Sequence, residues 1–169
     1  LVTRRGLYAV IVQPTQVYGP GDRAWTYRPV KLIRERRMIL VRGGRGLINP
    51  IYIDDAVDGV LAATRAGRAG ESYILGGPQM VTIGVFFGHL ARMLGTDRLP
   101  SIPAWLAMAV AGLSEGYAGL SGGKPVFARS EILRLLRDVT YDTDKARREL
   151  GFTAVITVEE GMRRLEADL

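Results

Sequence analysis

The most informative segment of the chain is Gln13-Pro14-Thr15-Gln16-Val17-Tyr18-Gly19-Pro20-Gly21-Asp22, which reads QPTQVYGPGD. It follows an apolar, partly β-branched run, LYAVIV at residues 7–12, which predicts a buried parallel strand. Pro14 fixes its own φ, and Gly19 and Gly21 tolerate positive φ, so tight turns are expected after the strand. The segment therefore predicts a strand whose carboxyl end opens into a loop of defined shape.

Outward from this segment, strands and helices alternate up to about residue 95, and helices dominate afterwards. This alternation is typical of an α/β protein. Further strands are predicted at residues 38–41, 50–53 and 71–77. Helices are predicted at residues 26–37 with Thr26 as N-cap, and from Asp54 to about Gly67. Thr82 and Thr157 are the predicted N-caps of helices at residues 82–94 and 157–169, and further helices are predicted at 103–113, 129–137 and 143–151.

The composition excludes several classes of site. The chain has 169 residues, no cysteine, one histidine and a net charge of +6. Disulfides and thiolate metal sites are therefore excluded, a histidine-based metal site or Ser-His-Asp triad is disfavoured, and we predict no metal site. The arginine cluster at residues 34–37, 42 and 45 lacks interleaved aromatic residues, so we predict no nucleic-acid partner. No apolar run is long enough to span a membrane, and we predict a cytoplasmic protein.

At this point the sequence resembles a known family. QPTQVYGPGD is similar to the Arg-Pro-x-x-Val-Tyr-Gly-Pro-Gly-Asp segment of the extended short-chain dehydrogenases/reductases, the NAD-dependent epimerase/dehydratase family. Three further pieces follow in the family's order. They are NPIYIDDAVDGVLAA at residues 49–63, ESYILGG at 71–77 with its following helix, and YDTDKARRELGF with TVEEGMRR within 141–164.

The resemblance implies the C-terminal part of a Rossmann-type doubly wound sheet with a mostly helical substrate-binding cap. We expect one partial domain over residues 1–169, with the end of the sheet and interleaved cap elements in 1–95 and the helical cap in 96–169. The apolar segment at residues 102–113 resembles the cap of the branch that includes 3β-hydroxysteroid dehydrogenase and dihydroflavonol reductase. Its all-round apolar pattern alone is more typical of a core helix.

The resemblance covers only the C-terminal half of the family. Neither its Gly-x-x-Gly-x-x-Gly turn nor its Tyr-x-x-x-Lys pair precedes Gln13, and Leu1 lies close to a strand. The match at Tyr27 to Lys31 follows the turn and contains Pro29, so we predict no catalytic residue in this chain. We expect the chain alone to be inactive and poorly soluble, with a missing N-terminal half as its partner, a homodimer as a further possibility, and NAD or NADP held mainly by that half.

The site residues are those that the resemblance implies. Sugar-nucleotide members commonly carry an Arg-Asp pair where this chain has Ile48 and Asn49, so a sugar nucleotide is disfavoured, although Arg42 or Arg45 can substitute. The cofactor-binding loop would comprise Pro14, Thr15, Gln16 and Val17. The substrate-binding residues would be Tyr18, Trp25, Arg42 and Asn49.

The expected function is the substrate-binding half of an NAD(P)-dependent oxidoreductase or epimerase that acts at a carbinol or ketone carbon of an apolar small molecule. Two alternatives stay open: a non-catalytic binding or regulatory module on the same scaffold, and a sugar-nucleotide epimerase or dehydratase fragment. Asp54 and Asp55 invite a metal or acid–base role, but their place at a helix start favours capping.

Overall fold

The computed structural model of the protein describes residues 8–123, 128–136 and 138–168. The strands in these ranges are β1 (Ile11–Pro14), β2 (Gln16–Tyr18), β3 (Leu40–Val41), β4 (Leu47–Ile48), β5 (Pro50–Tyr52), β6 (Ser72–Leu75), β7 (Val81–Thr82) and β8 (Ser101–Ile102). The α-helices are α1 (Arg28–Arg34), α2 (Ile53–Ala66), α3 (Ile83–Met93), α4 (Ala104–Ser121), α5 (Arg129–Leu135), α6 (Asp144–Leu150) and α7 (Val158–Glu166).

The chain divides into two compact units, each built from separate stretches of sequence. Unit 1 comprises Leu1–Arg28, Ile48–Val81 and Thr140–Leu169, and unit 2 comprises Pro29–Leu47 and Thr82–Val139. Helices α6 and α7 therefore belong to unit 1. The single partial domain with a change of character at residue 95 stays a prediction, because compactness alone does not define a domain.

Unit 1 contains two pairs of parallel strands. β1 pairs with β6, with Ile11 opposite Ser72, and β2 pairs with β5, with Gln16 opposite Pro50. Parallel pairing requires a crossover, and helices α2, α6 and α7 supply the surrounding layer. The predicted α/β class, the C-terminal part of a Rossmann-type sheet with a largely helical remainder, is confirmed.

The core of unit 1 joins β6 to the helices beside it. Tyr73 and Leu75 on β6 are fully buried, against small residues of α2 and the segment after α6. The phenol tip of Tyr73 donates a hydrogen bond of 2.9 Å to Glu149 Oε2, so burial leaves no unpaired hydroxyl. Burying a large apolar side chain contributes roughly 1.5–3 kcal/mol, so these contacts hold α6 on the strand pair.

The first strand differs from its prediction. The apolar run predicts a buried strand at residues 7–12, whereas β1 spans Ile11–Pro14 and Ile11 is 46% exposed. Within the described residues β1 pairs with β6 alone. Its other edge has no partner strand among the described residues, although Val12 packs against the core of unit 1.

Two of the predicted helix caps are confirmed. Thr82 Oγ1 accepts a hydrogen bond from Val85 N at 3.2 Å at the start of α3. Thr157 Oγ1 accepts one from Glu160 N at 3.3 Å at the start of α7. Both threonines thus satisfy one of the free N–H groups of a first helical turn.

The N-cap predicted at Thr26 is wrong. Asp22 caps instead, because its carboxylate accepts from Ala24 N and Trp25 N at the start of a π-helical turn, Arg23–Tyr27, that precedes α1. Thr26 is fully buried and its hydroxyl accepts from Gly19 N at 3.1 Å. Its polar group therefore fixes the Gly-Pro-Gly turn rather than a helix end.

Unit 2 packs α4 against α5 and the parallel pair β3–β8. Ala107 and Ala111 of α4 are buried, but Trp105, Leu113 and Tyr117 are each more than 70% exposed. The all-round apolar pattern of this helix is typical of a core position, and that interpretation holds for one face only. Among the described residues, no helix is both long and apolar enough to cross a membrane.

Candidate functional site

The loop after β1 is held at its first residues by two hydrogen bonds. Thr15 N donates to Leu75 O at 2.9 Å, which continues the pairing with β6. Thr15 Oγ1 donates to Asn49 O at 2.5 Å. The side chain of Thr15 thus ties the carboxyl end of β1 to the residue before β5.

Gln16 extends the same connection. Its Oε1 atom accepts from Asn49 N at 3.0 Å, and its Nε2 atom donates to Tyr141 Oη at 3.0 Å. The amide therefore bridges two segments that lie 33 and 125 residues away in the chain. A side chain held at both ends has little rotational freedom, so the short connection at Thr15 between β1 and β2 is fixed before any ligand binds. The loop predicted over Pro14 to Val17 is thus reduced to this one residue between two strands.

Asn49 is the central residue of this cluster and is 5% exposed. Its Nδ2 atom donates to Gly77 O and to Gln79 O, each at 3.0 Å. These two carbonyls determine the orientation of the amide, because the flipped amide would place an oxygen against them. Asn49 Oδ1 has no hydrogen-bond partner among the described residues.

The cluster of Thr15, Gln16, Asn49 and Tyr141 contains hydroxyl and amide groups only. It can orient a polar ligand by hydrogen bonding. No group of three or more acidic, histidine or cysteine side chains that could hold a metal ion occurs among the described residues.

Tyr18 lies inside unit 1, at 1% exposure. Its ring meets that of Tyr52 edge-on, with centroids 5.4 Å apart, and its hydroxyl donates to Thr157 O at 3.4 Å. Burial, followed by the nearby Tyr52, raises the pKa of the Tyr18 phenol above its ordinary value. The substrate role of Tyr18 stays a prediction, and the structure places its ring in the core.

We expect Tyr18→Phe to weaken the alkaline destabilisation of unit 1. The folded state keeps the phenol neutral, whereas the unfolded chain ionises it near its ordinary pKa of about 10. The stabilising contribution is thus complete below about pH 10 and is lost as pH rises, by up to about 1.4 kcal/mol per pH unit. Urea unfolding of both proteins at about pH 8 and pH 11 measures this, and an equal loss in both would contradict it.

The other two predicted substrate residues lie apart from the cluster. Trp25 is half-buried in the π-helical turn, where its backbone N–H donates to Asp22 Oδ2 at 2.7 Å. Arg42 is exposed in unit 2, with a φ of 51°, and it lines an open pocket of about 450 Å³. The structure therefore brings Thr15, Gln16 and Asn49 together, and the roles of the predicted site residues stay predictions.

Asp54 and Asp55 do not cap α2, in contrast to their predicted role. The N-cap is Tyr52, without a side-chain hydrogen bond. The carboxylate of Asp55 is buried and accepts from Val155 N at 3.1 Å and Ile156 N at 2.8 Å. Asp54 is exposed and forms an ion pair of 3.2 Å with Arg164. Both carboxylates thus make tertiary contacts, with residues 155 and 156 and with Arg164.

Sequence reasoning missed Tyr141 and Ser101. Tyr141 opens the segment YDTDKARRELGF, yet a single sequence holds no signal for its hydrogen bond with Gln16. Ser101 lies in the same pocket as Arg42 and accepts a hydrogen bond from Gly43 N at 2.7 Å. Both contacts join segments far apart in sequence, and local patterns do not report such pairs.

No protein-family model matches the chain. A ketoreductase from Stigmatella aurantiaca, named for 4-hydroxy-2-methyl-3-oxo-4-farnesyl-3,4-dihydroquinoline-1-oxide, is 31% identical over 95% of this chain and 49% of its own length. A 3beta-hydroxysteroid-dehydrogenase/decarboxylase, isoform 1, from Arabidopsis thaliana is 29% identical over 95% of this chain and 40% of its own length. The chain thus spans about half the length of the curated relatives it matches.

Solved structures similar to this chain are also about twice its length. A nucleoside-diphosphate-sugar epimerase from Pseudomonas aeruginosa superposes with a TM-score of 0.70 at 29% identity, over 96% of this chain and 48% of that one. A dTDP-glucose 4,6-dehydratase from Streptomyces venezuelae, solved with NAD bound, superposes with a TM-score of 0.67 at 23% identity, over 96% and 44%. The second likeness supports the fold alone.

Proposed function

We propose that this chain closes the cofactor pocket and binds substrate in an NAD(P)-dependent oxidoreductase. The premise is that the chain corresponds to the C-terminal half of an extended short-chain dehydrogenase/reductase of the NAD-dependent epimerase/dehydratase family, in the 3β-hydroxysteroid dehydrogenase-like branch. The substrate would carry the reacting carbinol or ketone carbon. The nicotinamide, when bound, would accept or donate a hydride at that carbon.

The observation that carries this proposal is the fixed connection at Thr15, between the carboxyl end of β1 and the start of β2. Ligands of open α/β sheets bind outside the carboxyl ends of the strands. Thr15 and Gln16 occupy that place, and their side chains are turned onto Asn49 and Tyr141. Pro14 to Val17 would then present main-chain groups to the nicotinamide end of NAD or NADP. Neutral amide and hydroxyl groups suit a carboxamide, so the residues present fit the cofactor.

The open edge of β1 supports an N-terminal half as the partner of this chain. In a doubly wound sheet an interior strand is paired on both edges. Within the described residues β1 is paired on one edge only, and Ile11 is largely exposed. A neighbouring strand from the cofactor-binding half would satisfy that edge and cover those side chains. A homodimer and a cytoplasmic location remain predictions.

The substrate class is proposed from two observations. The relatives named above are a ketoreductase and a hydroxysteroid dehydrogenase. Ile48 and Asn49 are both buried, at 5% exposure, and Asn49 Nδ2 is committed to two carbonyls, so neither position offers a guanidinium to a diphosphate. We therefore favour an apolar alcohol or ketone. The likeness to a sugar epimerase keeps a sugar-nucleotide substrate as the second candidate.

The test is hydride transfer by the full product of the reading frame that contains this sequence. We expect NAD(P)H oxidation with sterol-like or long-chain ketones and little with nucleotide sugars. Turnover of nucleotide sugars alone would select the second candidate. No turnover of either class and no binding of NAD or NADP would overturn the proposal and favour a non-catalytic module on the same scaffold.

Within that protein, Thr15→Val should lower kcat/KM about tenfold. The substitution keeps the shape of the side chain but removes the hydrogen bond to Asn49 O, and a loop displaced by a fraction of an ångström misplaces the nicotinamide. Thr64→Val is the matched control, because Thr64 is exposed and its hydroxyl donates to Leu61 O within its own helix. Equal kinetics of the two variants would contradict the role of Thr15.

A further inference from the structure

Unit 2 contains an open pocket of about 450 Å³ lined by Arg42, Gly43, Arg45, Ser101, Ile102 and Pro103. Ile102 and Pro103 form an apolar wall, and none of the described residues that line the pocket is acidic. Two guanidinium groups thus share a small concave surface with an apolar neighbour. Such a combination suits the charged head of a small organic anion.

The loop that carries both arginines is held in place on two sides. A Cβ atom at Gly44 would lie 2.5 Å from Gly84 N, and one at Gly46 would overlap Leu135 O. Only glycine permits these close approaches, which seat the loop against the start of α3 and the end of α5. The arginine backbones are therefore fixed relative to the pocket, which lowers the entropy lost on binding a ligand.

Neither arginine has a counter-ion within the part of the chain that the structure describes. Arg42 and Arg45 are exposed and form no ion pair with any described residue, whereas nearby Arg37 pairs with Glu35 at 3.2 Å. The backbone of Arg42 also lies in the left-handed region, with φ of 51°, which is uncommon for a residue other than glycine. Two cations without an ion pair among the described residues thus meet at one pocket, and one of them has a costly backbone conformation.

Ser101 adds a directional donor. Its Oγ atom accepts the hydrogen bond from Gly43 N, and its own hydroxyl proton is donated to no described residue. A hydroxyl both accepts and donates, so the proton of Ser101 is available to an oxygen atom of a ligand. Two guanidinium groups and one hydroxyl match the several acceptor oxygens of a carboxylate or phosphate.

We propose that this pocket binds the carboxylate or phosphate group of a small organic anion, with Arg42, Arg45 and Ser101 as donors and Ile102 and Pro103 beside its apolar part. This anion site extends the substrate-binding role that the sequence predicts for Arg42. Only the statement that the anion is a substrate rests on the proposed function. The binding itself requires no cofactor.

The test is a titration of the full product of the reading frame that contains this sequence. Inorganic phosphate, hexanoate and uncharged hexanol are added at low salt, and binding is followed by calorimetry and by the amide NMR signals of Gly43 and Ser101. We expect phosphate, hexanoate or both to bind and shift these signals, with weaker binding as salt rises. Binding of phosphate alone indicates a phosphate ester, and of hexanoate alone a carboxylate. Hexanol binding as tightly as hexanoate, or no binding of either anion, overturns the proposal.

The double variant Arg42→Gln, Arg45→Gln should bind at least about tenfold more weakly, and Ser101→Ala should bind more weakly with charge unchanged. Arg65→Gln, Arg68→Gln is the matched control, because both residues are exposed, three positions apart, and outside the pocket. An equal loss of binding affinity in the control would show that the effect comes from net charge alone, and it would overturn the proposed site. Anion binding without hydride transfer by the full-length protein would overturn the proposed function but leave the pocket intact.

Discussion

Gly77→Ala is expected to unfold unit 1 or to destabilise it by more than about 3 kcal/mol. A Cβ atom at Gly77 would overlap the carbonyl oxygen of Pro50 and lie 2.8 Å from the Pro50 carbonyl carbon. Both are backbone atoms of β5, so no side-chain rotation relieves the overlap. The backbone of Gly77 has no positive φ, and the cost therefore arises from space rather than from strain.

Thermal and urea unfolding followed by circular dichroism measure this loss. The control is Gly116→Ala, since a Cβ atom there meets nothing within 4 Å and the residue lies inside α4. Alanine favours a helix over glycine by about 1 kcal/mol, so this variant should be as stable as the parent or more so. If the Gly77→Ala protein had the same melting temperature as the parent, residues 77 and 50 would not approach each other this closely.

Asp55→Ala is expected to cost about 2–4 kcal/mol. The buried carboxylate accepts two hydrogen bonds, from Val155 N and Ile156 N, and alanine leaves both N–H groups buried without a partner. Each buried donor left without a partner costs about 1–3 kcal/mol, and the gain from no longer burying a carboxylate offsets part of the sum. Because residues 155 and 156 lead directly into α7, this helix should exchange its amide protons faster in the variant.

Asp54→Ala supplies the comparison within the same dipeptide. Asp54 is mostly exposed and pairs with Arg164 at 3.2 Å. A surface ion pair contributes about 0–1 kcal/mol, so the loss should stay within that range. Similar losses in the two variants would mean that both aspartates act through the dipole of α2, as their position in the sequence alone suggests.

The aspartate pair shows which features a single sequence can predict. Thr82 and Thr157 cap the helices that follow them, because an N-cap acts within three residues and its pattern is local. The partners of Asp55 lie 100 and 101 residues away, and nothing near Asp55 announces them. The sequence therefore predicts helix α2 correctly but does not predict the hydrogen-bond partners of its buried carboxylate.

The candidate site follows the same division. The motif around Thr15 and Gln16 predicts a shaped loop at the end of a strand, whereas the structure has a single bend at Thr15 between β1 and β2. Its attachment to Asn49 and Tyr141, and the meeting of Arg42 with Ser101, depend on tertiary packing. The exposed side of α4 is a further example, since apolar content predicts burial but does not indicate which neighbours are present to provide it.

Unit 1 is built from three separate stretches of the chain, so its fold can be completed only after the last stretch has been synthesised. Tyr18 bonds to Thr157, 139 residues later, and a ribosome adds about 5–20 residues per second. Roughly 7–28 s therefore pass between the emergence of the two partners. Throughout that interval Tyr18 and the strands beside it lack their final cover on the nascent chain.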